Sequence, residues 1–139
     1  MFLLDTHVWL WALEEDSRRL GRRTLKLIDQ WSTRNLLRVS PLSAYEVARL
    51  HATGRLTLSR PLESWIDAAT DPMRIRIVPL NMEMAVDAGV IGHRRVPDPI
   101  DRMLIATARI LDATLVTCDR AVLAYAGESR AVRVHDAAK

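Results

Sequence analysis

Cysteine occurs once in the 139 residues, at Cys118. A lone thiol excludes an internal disulfide framework and a cysteine-built zinc cage. Long apolar runs are missing. Stretches such as Val8 to Leu13 fall far below the roughly 20 residues that cross a bilayer, so no membrane partner is expected. Met1-Phe2-Leu3-Leu4 meets Asp5 with no basic leader, so no secretory signal is expected and the reducing cytoplasm is the expected location. No G-x-G-x-x-G loop for a dinucleotide and no G-x-x-x-x-G-K-[ST] loop for a nucleoside triphosphate occurs. Lysine is confined to Lys26 and Lys139, which leaves a response-regulator receiver without the late lysine it needs. Internal repeats, low-complexity tracts and domain-scale linkers are absent too. His7, His51, His93 and His135 show no metal-ligand spacing, so a histidine-based site is not expected.

What is present fits one α/β domain over residues 1–139. Hydrophobic residues make up 49% of the chain, enough for a core without disulfides or metal. Twenty Lys and Arg against 17 Asp and Glu give a formal net charge of +3, compatible with a polyanionic partner. Phe2-Leu3-Leu4, Leu36-Leu37-Arg38-Val39, Ile75 to Val78 and Thr114 to Thr117 read as strands, with Val132 to Val134 a fifth. Helices are predicted from Val8 to Leu13, Arg22 to Trp31, Pro41 to Gly54, Pro61 to Thr70, Asn81 to Ala88, Asp98 to Leu111 and Arg120 to Ala126. Ser17, Ser40, Asn81 and Asp98 stand at N-cap positions, with Pro41 and Pro99 at the first helical position. Strands alternating with helices predict a mostly parallel central sheet of four to five strands flanked by helices.

The acids fall where such a sheet binds ligands, beyond the carboxyl ends of its strands. Asp5 follows the first strand and Asp119 the fourth. Each also suits the role of a helix cap. Glu46 shares a helical stripe with Leu42 and Leu50, so its carboxylate needs either a cation, a donor or an ion pair with Arg49. Asp98-Pro99-Ile100-Asp101 resembles a capping arrangement in which Asp101 reaches back from N3. Converging carboxylates repel, about 4 kcal/mol for a close pair at an effective dielectric near 20. Protons or cations must neutralise such a cluster. All-oxygen ligands favour Mg²⁺ or Mn²⁺ over zinc.

Four sequence segments carry a family resemblance. They are Leu3-Leu4-Asp5-Thr6-His7-Val8-Trp9-Leu10-Trp11, then Ser43-Ala44-Tyr45-Glu46-Val47 with Gly54-Arg55-Leu56, then Asp98-Pro99-Ile100-Asp101-Arg102-Met103-Leu104-Ile105-Ala106, and Leu115-Val116-Thr117-Cys118-Asp119. In order and spacing the chain resembles the PIN-domain ribonucleases, and more closely the VapC-type toxins of toxin–antitoxin pairs. Tyr45 replaces the usual Trp and Ile100 the usual Phe, and neither change touches an acid. The resemblance implies a PIN-like fold and Mg²⁺-dependent endonucleolytic RNA cleavage by metal-activated water. It implies that Asp5, Glu46, Asp101 and Asp119 hold the metal, with Thr6, Asp98 and Thr117 in supporting positions. It further implies a homodimer silenced by a small VapB-like antitoxin. The alternative is a non-catalytic PIN-like module that binds a partner through its acidic pocket.

Around these acids, Arg94, Arg95 and Arg102 are candidates for holding RNA phosphates, although Arg102 also suits an ion pair with Asp98. The run Arg18, Arg19, Arg22, Arg23 and Lys26 reads as a solvated face, a phosphate-tracking surface or an antitoxin dock. Trp9 and Trp11 suit either base stacking or packing. His7 reads as a helix-start residue and Cys118 as a small buried apolar one. Setting the four acids aside leaves 13 acidic against 20 basic residues, a −4 pocket within a +7 remainder.

Overall fold

A computed structural model describes residues 1–14, 16 and 18–139; the predicted cap at Ser17 lies outside the described residues. In chain order the elements are β1 (Phe2–Leu4), α1 (Thr6–Leu13), α2 (Arg22–Thr33), β2 (Leu37–Val39), α3 (Pro41–Ala52), α4 (Leu62–Ala69), β3 (Arg76–Ile77), α5 (Met82–Gly89), α6 (Pro99–Ile110), β4 (Thr114–Thr117), α7 (Arg120–Ser129) and β5 (Arg133–Asp136).

The strands form one sheet in the order β3-β2-β1-β4-β5, and every pairing is parallel. A central parallel strand is covered on both faces, which is why β1 is apolar throughout. Its successive side chains point to opposite faces and feed separate cores. Leu4 joins Val8, Trp9, Ile28, Trp31 and Trp65 under α1, α2 and α4. Leu3 joins Leu104, Ile105, Ala108, Val122 and Ala126 under α6 and α7. On β4, Val116 and Leu115 divide in the same way.

The order also positions the site. From β1 the chain winds outward through β2 and β3, then returns to β4 on the other side of β1. The crevice at the carboxyl ends of β1 and β4 is therefore the topological switch point, where open α/β sheets bind ligands.

Several boundaries differ from the sequence expectation. Helix α1 begins at Thr6, not Val8, because Asp5 already caps it. Helix α7 continues past Ala126 to Ser129 and ends at Arg130, whose φ of 53° is left-handed. The last strand starts at Arg133, and β3 keeps only two exposed residues at the sheet edge. Helix α2 has Gly21 as an N-cap without a side-chain hydrogen bond. Its N–H donates to the Ala137 carbonyl at 2.9 Å, and a Cβ built there would stand 2.0 Å from the Lys139 carbonyl carbon. Only glycine permits that approach.

Candidate active site

Asp5 leaves β1 and is 7% exposed. One carboxylate oxygen accepts the Val8 N–H at 2.8 Å, capping α1. The other accepts the Thr117 hydroxyl. Burial pushes the Asp5 carboxyl above its ordinary range, against the Thr117 and Val8 hydrogen bonds that favour the charged form. Thr117 is fully buried, and its oxygen also accepts the Asp119 N–H at 3.0 Å. One hydroxyl thus ties the acid of β1 to the turn that follows β4.

Asp119 caps α7 by accepting the Val122 N–H at 3.0 Å. The capping and site readings of Asp5 and Asp119 are therefore compatible: each spends one oxygen on a helix end and still lines the crevice. Asp98 caps α6 through the Ile100 N–H at 2.8 Å. Asp101, at N3 of α6, makes no capping box; among the described residues no hydrogen bond joins it to the Asp98 N–H, and it lines the crevice instead. Its carboxyl is pushed up to about 8, chiefly by burial and then by the charges of Asp98, Asp119, Asp5 and Glu46. Glu46 arrives from α3, half-buried, and the ion pair with Arg49 is not formed among the described residues.

All four predicted acids, with Asp98 and Thr6, line one cavity of about 360 Å³. Asp5, Glu46, Asp101 and Asp119 come from four segments separated by as much as 114 positions, yet the other three each add to the field felt at Asp101. Among the described residues, no three acidic, His or Cys side chains are drawn into a closed cage for an ion. The donor set nevertheless fits a hard divalent cation. It is all carboxylate oxygen, and Asp101 needs a proton or a cation to offset its neighbours. Cys118 also reaches the cavity, half-buried, so it is not the fully enclosed residue expected. Burial and the charges of Asp5 and Asp136 push its thiol up to about 11, so the side chain stands in the cavity as a neutral thiol.

The remaining candidates are placed differently from expectation. The Thr6 hydroxyl donates to Ser43 Oγ at 3.1 Å, bridging α1 to α3, and not to a carboxylate. Arg102 does not pair with Asp98. Its guanidinium donates to the carbonyls of Val96 and Pro97 at 2.7 and 2.9 Å, holding the loop before α6. Arg95 pairs with Glu128 and lies over the Tyr125 ring. Arg94 is exposed. None of these three arginines lines the acidic cavity; Arg19 does, together with His7 and Trp11. The sequence placed Arg19 only within a basic run. Its contact with Trp11 leaves no periodic signal in the sequence.

The PIN-domain profile matches residues 2–128. Ribonuclease VapC22 of Mycobacterium tuberculosis is 31% identical over 118 residues, covering 85% of this chain and 86% of that protein. Two solved structures share the fold. One is VapBC2 from Rickettsia felis bound to a DNA fragment from its promoter, with a TM-score of 0.65, 14% identity and 96% coverage of both chains. The other is FitAcB from Neisseria gonorrhoeae, with a TM-score of 0.60, 18% identity and 96% coverage of both chains.

Proposed function

The chain belongs to the PIN-domain family, as a member of the VapC type, and from that premise we propose that it is a divalent-metal-dependent endoribonuclease acting as the toxin of a toxin–antitoxin pair. The observation that carries this reading is the convergence of four carboxylates at the switch point of the sheet. Asp5, Glu46, Asp101 and Asp119 would hold Mg²⁺, or Mn²⁺ in its place. When bound, the cation supplies Lewis-acid activation of water and neutralises charge that develops on the cleaved phosphate.

The chain's own groups prepare that reaction. Thr117 fixes one oxygen of Asp5, and the Val8 N–H fixes the other. The Asp119 carboxylate is oriented by the α7 N-terminus. Burial and the neighbouring acids raise the Asp101 carboxyl to about 8, so a bound cation would compete with a proton there. Asp98 keeps α6 in place and adds negative charge beside Asp101.

The proposal includes the small antitoxin partner expected from the sequence, in keeping with the VapC-type membership. It also includes the homodimer expected from the sequence. Helix α5 and its C-cap expose Met82, Val86 and Val90 in one stripe, at 79%, 62% and 78%, apolar area of the kind that a second copy would cover. It places the whole of residues 1–139 in one domain working in the cytoplasm. No helix among the described residues is long and apolar enough to cross a membrane.

The test is cleavage of a single-stranded RNA pool by the wild type and by Asp5→Asn, with Mg²⁺ and with EDTA. The reading expects cuts only from the wild type with Mg²⁺, while both proteins give the same circular dichroism. Equal cleavage by the variant would refute it.

A further inference from the structure

Two tryptophans two residues apart on α1 have separate surroundings. Trp9 is 3% exposed, with its indole N–H donated to the Ala69 carbonyl at 2.9 Å. Trp11 is half-buried and stands on the wall of the acidic cavity. His7, one turn earlier, brings its ring to 5.6 Å from that of Trp11, tilted by 50°. The Arg19 guanidinium lies over the Trp11 ring, 5.5 Å from its centroid.

These three side chains also wall a second cleft, of about 590 Å³, to which Arg55 contributes. The two cavities share His7, Trp11 and Arg19 as lining residues, so they lie side by side. The acids of the second cleft are already engaged. The Glu14 carboxylate accepts the Trp65 indole N–H at 2.8 Å and the Ser59 hydroxyl at 3.1 Å. Asp16 pairs with Arg19 at 3.3 Å and Arg18 at 3.8 Å. What the cleft offers is an aromatic surface with cations beside it, the combination by which proteins hold unpaired nucleotides.

We propose that this cleft seats an unpaired nucleotide of the RNA next to the cleaved phosphate, with its base against Trp11 and its phosphate on Arg19. The proposal rests on the ribonuclease reading above and adds the determinant that favours single strands. Arg19 is free to make the exchange. Its side chain is 62% exposed, though its partner Asp16 is only 20% exposed, and a single ion pair with one solvated partner and a cation–π contact at the surface leave the guanidinium able to turn. A base can then take the indole face while the guanidinium turns to the phosphate. His7 lines the same wall and extends the aromatic surface toward Asp5.

The experiment uses the full chain carrying Asp101→Asn, so that the RNA survives. Fluorescence anisotropy would measure its binding to a labelled single-stranded heptaadenylate and to an equally long strand with abasic central riboses. Adding Trp11→Ala is expected to weaken heptaadenylate binding by about tenfold or more, and abasic binding by less than about twofold. Trp11→Phe is expected to recover most of the loss. Arg19→Ala is expected to weaken both strands alike and to lower the slope of log affinity against log salt by about one. Should Trp11→Ala unfold, the Phe and Arg19 variants report on the same cleft. The proposal is overturned if Trp11→Ala binds heptaadenylate like its parent, or loses equally on the abasic strand. If the parent binds neither strand while the wild type cuts single-stranded RNA with Mg²⁺, the subsite falls and the ribonuclease reading stands. If the wild type neither binds nor cuts, both fall.

Discussion

Thr117 has a single hydroxyl, and both of its hydrogen-bonding capacities serve the acids: it donates to Asp5 and accepts from the Asp119 backbone. Replacing it with Val keeps the shape, removes the donor and leaves one oxygen of a buried carboxylate without a partner. Supporting partners of this kind govern metal affinity by 10- to 100-fold, so Thr117→Val should raise the Kd for Mn²⁺ by roughly tenfold in calorimetry. Asp101 makes a different prediction. Its carboxyl is raised to about 8 from an unfolded value near 3.8, so the folded chain binds more protons than the unfolded one. Its contribution is fully present below pH 4 and is lost as pH rises through 8. Without divalent cations, the melting temperature should therefore fall between pH 4 and 8, and Asp101→Asn should flatten that slope while abolishing cleavage. The same raised carboxyl means that a cation binding at pH 7 displaces a proton. Calorimetry in buffers of different ionisation enthalpy should detect the release, and Asp101→Asn should suppress it.

At the scale of elements, α6 illustrates how one segment serves stability and chemistry together. Asp98 caps it, Pro99 starts it, and Leu104, Ile105 and Ala108 bury its inner face. Asp98→Ala should cost about 1 kcal/mol through the lost cap, a drop of about 3 °C in melting temperature. Asp98→Asn should preserve the cap, and by removing one neighbouring charge it should lower the Asp101 carboxyl. NMR titration of Asp101 would check the second effect. Gly21 poses the opposite case, a position where packing excludes any side chain. Gly21→Ala should lower the melting temperature by forcing the segment Ala137–Lys139 away from α2. The elements themselves were legible in the sequence because their signals are local. Ser40, Asn81 and Asp98 cap the helices expected of them, and apolar runs of three or four residues mark the buried strands. Boundaries shifted at α1, where the Asp5 cap starts the helix two residues early, and at the sheet edge, where β3 has one neighbour and keeps two exposed residues.

At the scale of the whole molecule, the acidic site was legible because strand ends and helix starts, once ordered in a parallel sheet, must meet at the switch point. What surrounds the acids was not. Arg102 and Arg95 are near Asp101 in sequence, but loop carbonyls and Glu128 hold them. Thr6 follows Asp5 but turns to Ser43. Arg19, in a run with no site signal, completes the wall with its guanidinium over Trp11. Side-chain direction across a turn is set by tertiary packing, which spacing does not encode. A cluster of four acids set among 20 basic and 13 other acidic residues predicts that RNA affinity falls steeply with salt while Mn²⁺ affinity falls less. The most direct test of the central claim is a joint measurement on wild type, Asp5→Asn, Glu46→Gln, Asp101→Asn and Asp119→Asn. Mn²⁺ binding and single-stranded RNA cleavage would be read on the same samples. The account predicts that each substitution weakens the ion at least about tenfold and abolishes cleavage in a chain that remains folded. Undiminished cleavage by a folded variant, or wild-type cleavage in EDTA, would contradict it.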